Sequence, residues 1–193
     1  LYLVHWPVPG KHVEAYLELE RCQKDGLVRS IGVSNYAVED IEELLEQASV
    51  VPAVNQIECN PFLYRRETLA YLKSKNIAVQ AYRALRDGKA FEDPTITAVA
   101  KKHGATAAQV LGAWCVAKGA IYMPKSTKRE RMVENADVVA LASALDADDV
   151  SRLDALTTPD AIAAYKLLYE KCVVRDTPLA EDDAGIKRDI TAG

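Results

Sequence analysis

Ala120-Ile121-Tyr122-Met123-Pro124-Lys125-Ser126-Thr127-Lys128-Arg129-Glu130-Arg131-Met132-Val133-Glu134-Asn135 begins as a short apolar run, passes through a basic, hydroxyl-bearing loop and ends in helix-forming residues. The apolar run reads as a buried strand, so the stretch is a strand-loop-helix junction. Backbone N–H groups at a helix start lack intrahelical partners and carry the positive end of the helix dipole, which suits an anion. Lys125, Lys128, Arg129 and Arg131 face a single acid, Glu130, before Met132. Against a chain net charge of -4 that is a local concentration of cations. A phosphate fits it, and so does a plainly solvated basic first turn.

Upstream, strands and helices alternate. Apolar runs at Leu1–Val4, 30–33, 53–57 and 77–81 read as further strands. Between them, His12–Lys24, 38–47 and 66–75 carry apolar residues at helical spacing. Residues 82–94 read as loop, and helical patterns return at 95–103 and 107–118, with Gly104 between them. Beyond the junction, helix is expected around 131–135, over 146–156 with Asp146 as cap, and over 161–170. Residues 176–193 are polar and are expected to form a mobile C-terminal arm. Strands apolar on both faces with amphipathic helices between them imply a parallel sheet covered by helices.

Two architectures satisfy that pattern, an open doubly wound sheet and a (β/α)8 TIM barrel. No GxGxxG follows a strand, which weighs against the first. The anion junction after the last strand favours the second, because barrels hold phosphate in the loops after their final strands. Only five strands are legible, whereas a barrel takes about 250 residues. The expectation is one α/β domain, a partial barrel of about five βα units, with some three units absent before Leu1.

Composition narrows the function. The chain has 193 residues, 49% of them hydrophobic and 27% charged, as a soluble globular domain would. A pI near 5.5 argues against a nucleic-acid partner. No apolar run approaches the ~18 residues that span a bilayer. Cys22, Cys59, Cys115 and Cys172 are far apart, so neither a metal site nor a disulfide framework is implied, and a cytoplasmic location is expected.

In a barrel, chemistry collects where strands end. Those ends carry His5-Trp6, Ser34-Asn35, Gln56 with Glu58, Tyr82-Arg83 and Lys125-Ser126. His5 is a candidate hydrogen-bond donor or general acid toward a carbonyl, or a structural histidine. Trp6 is a candidate apolar wall or a core tryptophan. Ser34, Asn35 and Gln56 match the needs of a carboxamide, although Asn35 would also suit a helix cap. Tyr82 could stack on an aromatic ring or pack in the core. Lys125 could form a Schiff base, as in an aldolase, although its cationic and hydroxylic neighbours suit phosphate better.

Four motifs in order, Leu3-Val4-His5-Trp6-Pro7, Gly26 to Tyr36, Val54-Asn55-Gln56-Ile57-Glu58-Cys59-Asn60-Pro61 and Pro124 to Asn135, together resemble the aldo-keto reductase family over Leu1 to about Leu156. The resemblance implies an extended NADPH and reduction of an aldehyde or ketone. It places the nicotinamide carboxamide on Ser34, Asn35 and Gln56, the nicotinamide ring on Tyr82, and Leu85 near the pyrophosphate. Lys125, Ser126 and Arg131 would clamp the 2'-phosphate, and Glu134 and Asn135 would contact adenine. His5 would orient the substrate carbonyl, with Trp6 as a pocket wall.

The sequence departs from the family in three respects. The family's proton-donating tyrosine, with its lysine and aspartate, comes from strands before the His5 strand and is not in this sequence. Arg83-Ala84 stands where Ser-Pro is usual, and Asn60 replaces a usual histidine. The isolated chain is therefore expected to bind NADPH weakly, to turn over negligibly and to self-associate through exposed strand edges. A non-catalytic NADPH-binding or interaction module derived from the same fold is the alternative.

Overall fold

A computed structural model describes residues 1–164. Five parallel strands alternate with helices: β1 (Tyr2–Val4), α1 (His12–Lys24), β2 (Ile31–Ser34), α2 (Val38–Leu45), β3 (Val54–Glu58), α3 (Arg66–Ser74), β4 (Ala78–Tyr82), α4 (Pro94–His103), α5 (Ala107–Ala117), β5 (Ile121–Tyr122), α6 (Arg129–Ala136), α7 (Val139–Ala144) and α8 (Ala147–Asp154). Residues 159–164 begin a further helix. The fold class is α/β, that of a (β/α)8 barrel represented by five βα units. The expected arm at 176–193 and most of the expected 161–170 helix lie outside the described residues.

Two compact units make up the chain. The first comprises Leu1–Ile57, Arg65–Val79 and, of the described residues after these, 162–164; the second comprises Glu58–Tyr64 and Gln80–Ala161. In the first, β1, β2 and β3 lie side by side in chain order, with Val4 opposite Val33 and Val33 opposite Asn55. Gly32 is required there, because a Cβ would sit 2.7 Å from the Val54 carbonyl oxygen and 2.8 Å from Leu3. Ile31, Val33, Ile41, Leu44, Ile57 and Leu72 are fully or almost fully buried. Each such side chain contributes about 1.5–3 kcal/mol through lost apolar exposure.

In the second unit β4 pairs with β5, Ala81 opposite Tyr122. Ile96, Val99, Val110, Leu111, Trp114 and Leu153 form its core. Trp114 satisfies its indole N–H on Asp154 at 2.7 Å and meets the Tyr64 ring edge-on at 5.2 Å. The helix signals act as chemistry requires. Gly104 ends α4 with φ +60°, Thr106 caps α5 by accepting from Gln109 N, and Asp146 caps α8 by accepting from Asp149 N at 2.9 Å.

Three expectations need correction. β1 and β5 are less buried than their apolar sequences suggest, with Tyr2 58% and Ile121 47% exposed. Among the described residues each pairs with a strand on one side only, so one flank stays uncovered. The 82–94 stretch is no featureless loop, since Arg86–Gly88 makes a 3-10 turn. α7 has no counterpart in the sequence reading. Its Val-Ala-Leu-Ala-Ser-Ala sequence carries no side-chain cap, and it forms a helix by packing against α5.

Candidate functional site

The expected site residues fall into two groups, one in each unit. In the first unit they follow the strand ends. His5, just after β1, is exposed, and its ring lies 5.3 Å from that of half-buried Trp6, tilted by 40°. Ser34, the last residue of β2, donates its hydroxyl to the Gln56 carbonyl at 2.8 Å, and Asn35 N donates to the same oxygen at 2.8 Å. The Asn35 amide donates to the His5 carbonyl at 3.0 Å and to Ser34 Oγ at 3.1 Å. His5, Ser34, Asn35 and Gln56 are thus tied by one hydrogen-bond network. Asn35 adopts φ +64°, a left-handed conformation that asparagine tolerates better than most residues. Its side chain braces β1 and does not cap α2. That helix starts at Val38 after Ala37, whose N–H is held by Asp40 at 2.8 Å.

In the second unit a cavity of about 580 Å³ is lined by the 83–88 loop, Phe91, the start of α5 at Thr106–Ala108, and Met123, Pro124, Lys125, Ser126, Arg131, Glu134 and Asn135. Leu85, Lys125, Ser126, Arg131, Glu134 and Asn135, expected as one group from the sequence, all line it. Tyr82, half-buried at the end of β4, immediately precedes the 83–88 loop. Lys125 and Arg131 are exposed and make no ion pair among the described residues. Ser126 Oγ accepts from Lys128 N at 3.1 Å and so shapes the loop entering α6. Among the described residues no side chain caps that helix, which leaves its first N–H groups for another acceptor. Lys125 lacks the desolvation that activates an imine-forming lysine.

The floor of this cavity is bonded internally. Asn135 is buried and accepts the Tyr122 hydroxyl at 2.9 Å, while Glu134 accepts the Thr106 hydroxyl. Burial pushes the Tyr122 phenol well above its ordinary value, so it remains a donor throughout the ordinary pH range. Gly112 of α5 lets Tyr122 sit there: a Cβ would meet its ring at 2.8 Å.

Arg83 donates to Glu58 at 3.2 Å and to Asp87 at 2.7 Å. Arg83, Arg86 and Asp87 all have positive φ, at 49°, 46° and 58°. Each such conformation costs on the order of 1–3 kcal/mol in a non-glycine residue. Burial pushes the Glu58 carboxyl up from its ordinary value, against the pull of Arg83 and Arg86. Arg86 also stacks over the Phe62 ring at 4.8 Å. The four-residue spacing of Arg83 and Asp87 was the available signal, but outside a helix that spacing has no fixed meaning.

Parallel βα units ending in polar residues, with a cavity lined by cations and hydroxyls beside the last strand, define a barrel-type α/β protein. The family model described as Aldo/keto reductase family matches residues 1–158, and the chain belongs to that family. It is 38% identical over 162 residues to a glyoxal reductase of Bacillus subtilis (strain 168), covering 84% of this chain and 58% of that protein. It is 41% identical over 162 residues to an aldo-keto reductase of Mycobacterium sp. (strain JLS), covering 79% of this chain and 59% of that protein. Among solved structures, a variant of Gox0644 in complex with NADPH superposes with TM-score 0.78 at 38% identity, over 83% of this chain and 59% of that one. An aldo-keto reductase of Bombyx mori in complex with NADP superposes with TM-score 0.73 at 30% identity, over 81% and 56%. The chain thus spans under two thirds of the length of these relatives.

Proposed function

We propose that this chain carries the NADPH-binding part of an aldo-keto reductase that reduces an aldehyde or ketone to an alcohol. The observation that carries this reading is the second-unit cavity, which gathers Leu85, Lys125, Ser126, Arg131, Glu134 and Asn135 and leaves two of its cations without an internal partner. Lys125 and Arg131 would neutralise the 2'-phosphate, with Ser126 and the open N–H groups of α6 as further donors. Glu134 and Asn135, held by Thr106 and Tyr122, would meet the adenine. In the first unit, Ser34, Asn35 and Gln56 would hold the nicotinamide carboxamide; Tyr82, which belongs to the second unit, would stack on the ring. The nicotinamide, when bound, supplies the hydride.

His5 is exposed, and its backbone is fixed by Asn35. It would donate a hydrogen bond to the substrate oxygen, drawing electron density from the carbonyl carbon. Trp6 would exclude water from one side. None of the family's Tyr, Lys and Asp proton-delivery residues is in these 193 residues, so we infer weak cofactor binding and negligible turnover for this chain alone. Self-association through β1 or β5 would follow from their uncovered flanks. Three free thiols among the described residues agree with a reducing, cytoplasmic setting. No helix among the described residues is long and apolar enough to cross a membrane.

Titration of the chain with NADPH and NADH, followed by nicotinamide fluorescence, tests the reading. Arg131→Ala is expected to weaken NADPH binding by about 1–3 kcal/mol, the worth of a charged hydrogen bond, with NADH little changed. Equal losses for both cofactors would contradict the 2'-phosphate assignment. A chain that binds NADPH normally but stays inactive when supplied with the missing strands would favour a non-catalytic module.

A further inference from the structure

The geometry points to Arg83 as the ligand of the cofactor's diphosphate, with Asp87 occupying its guanidinium until the diphosphate displaces it. This inference rests on the NADPH reading above. If the Lys125–Asn135 side of the cavity takes the adenosine 2'-phosphate, the same ligand brings one further anion, the diphosphate. The cationic lining that remains is the 83–88 loop, with Arg83 and Arg86. Arg86 is committed over the Phe62 ring. Arg83 instead presents its planar fork to two carboxylates of very different standing.

The Glu58 side chain is 8% exposed, and the bond to Arg83 Nη1 at 3.2 Å, with Asn60 at 3.4 Å, gives that buried charge its partners. Removing Arg83 would strand it, so this half of the fork is a fixed anchor. Asp87 is 61% exposed on its side chain and sits on the strained turn. Turning it into water costs little, because exposed ion pairs are individually weak. A diphosphate oxygen, doubly charged as a group and suited to the guanidinium fork, is the stronger acceptor for Nη2. Asp87 is in this sense an internal stand-in for a phosphate oxygen, and once displaced its charge opposes the ligand.

An unusual expectation follows, in which deleting an ion-pair partner tightens binding. Asp87→Asn keeps the shape and tolerates the positive φ, so it removes charge alone. Isothermal titration of the full chain is done with NADP and with 2'-AMP, which carries the 2'-phosphate and adenine but no diphosphate. Asp87→Asn should tighten NADP by about two- to fivefold, the worth of an exposed pair, and leave 2'-AMP unchanged. Arg83→Lys keeps a cation beside Glu58, so the chain folds. It should weaken NADP about five- to tenfold through loss of the fork, leave 2'-AMP unchanged, and abolish the Asp87→Asn gain in the double variant.

The inference is overturned, with the 2'-phosphate reading intact, if Asp87→Asn leaves NADP unchanged or weakens it, or if Arg83→Lys shifts NADP and 2'-AMP alike. If neither ligand binds the parent chain, or Arg131→Ala leaves both affinities unaltered, the cofactor reading itself falls and this inference with it.

Discussion

The strand-end group of the first unit and the loop-helix group of the second are built on opposite principles. Ser34 and Asn35 are buried, and their side chains bond to backbone and to each other. Lys125 and Arg131 are exposed and bond to nothing in the protein among the described residues. The first group commits its polar atoms to holding a fixed geometry. The second leaves charge open, so affinity depends on the ligand arriving. Damage to the first group should therefore appear as instability, and damage to the second as lost binding on an intact fold.

The sharpest way to break this contrast is Asn35→Ala. It removes the donor to the His5 carbonyl and to Ser34 Oγ, whose own hydroxyl still bonds to Gln56, and puts alanine, with no side-chain amide to bond locally, at φ +64°. A loss of about 2–4 kcal/mol is expected from the stranded His5 carbonyl and backbone strain together, read as a lower denaturant midpoint at constant slope. A variant of unchanged stability would mean that the network does not brace β1.

Gly112→Ala tests the exception, the internally bonded floor of the cavity. The new methyl must push the Tyr122 ring and so disturb the bond to Asn135. Overpacking should cost about 1–3 kcal/mol, and NADPH affinity should fall as well. Loss of stability with affinity intact would show that Asn135 needs no support from Tyr122.

The second unit also keeps a buried polar lock outside its cavity. Asp149 is fully buried and bonded by Lys102 at 2.8 Å and His103 at 2.7 Å. Burial alone would raise its carboxyl, but the bonds from Lys102 and His103 outweigh it and bring it from the ordinary 3.8 to about 2. A depressed carboxylate stabilises the fold above its unfolded value and loses that contribution as pH falls through the folded one. Stability should therefore drop between about pH 4 and pH 2. Asp149→Asn should cost about 1–3 kcal/mol at neutral pH and flatten that decline, as acid titration followed by circular dichroism would measure. A variant whose acid transition matches the parent's would remove Asp149 as its source.

The smallest effect is the most diagnostic. Arg131→Ala should leave the melting temperature almost unchanged, within about 0.5 kcal/mol, while weakening NADPH. A stability loss comparable with that of Asn35→Ala would erase the distinction between the two groups.

Much of this protein was legible one residue at a time. Short all-apolar runs and period-3.6 patterning placed the βα units, and Gly104 and Asp146 marked helix ends because backbone chirality and orphan N–H groups leave few residues suited to those positions. The basic junction was visible because unpaired charge depends on no tertiary partner. What the sequence could not decide was where side chains go when several bonds compete. Asn35 was equally able to cap a helix, and only the placement of the His5 carbonyl made it a brace. Arg83 read as a departure from a pattern, and only the approach of buried Glu58 turned it into an anchored fork. Local conformation follows from neighbours along the chain, whereas burial and pairing depend on groups brought from distant positions. The open charges of the basic junction are therefore set by composition, and the geometry that orients them is set by the fold.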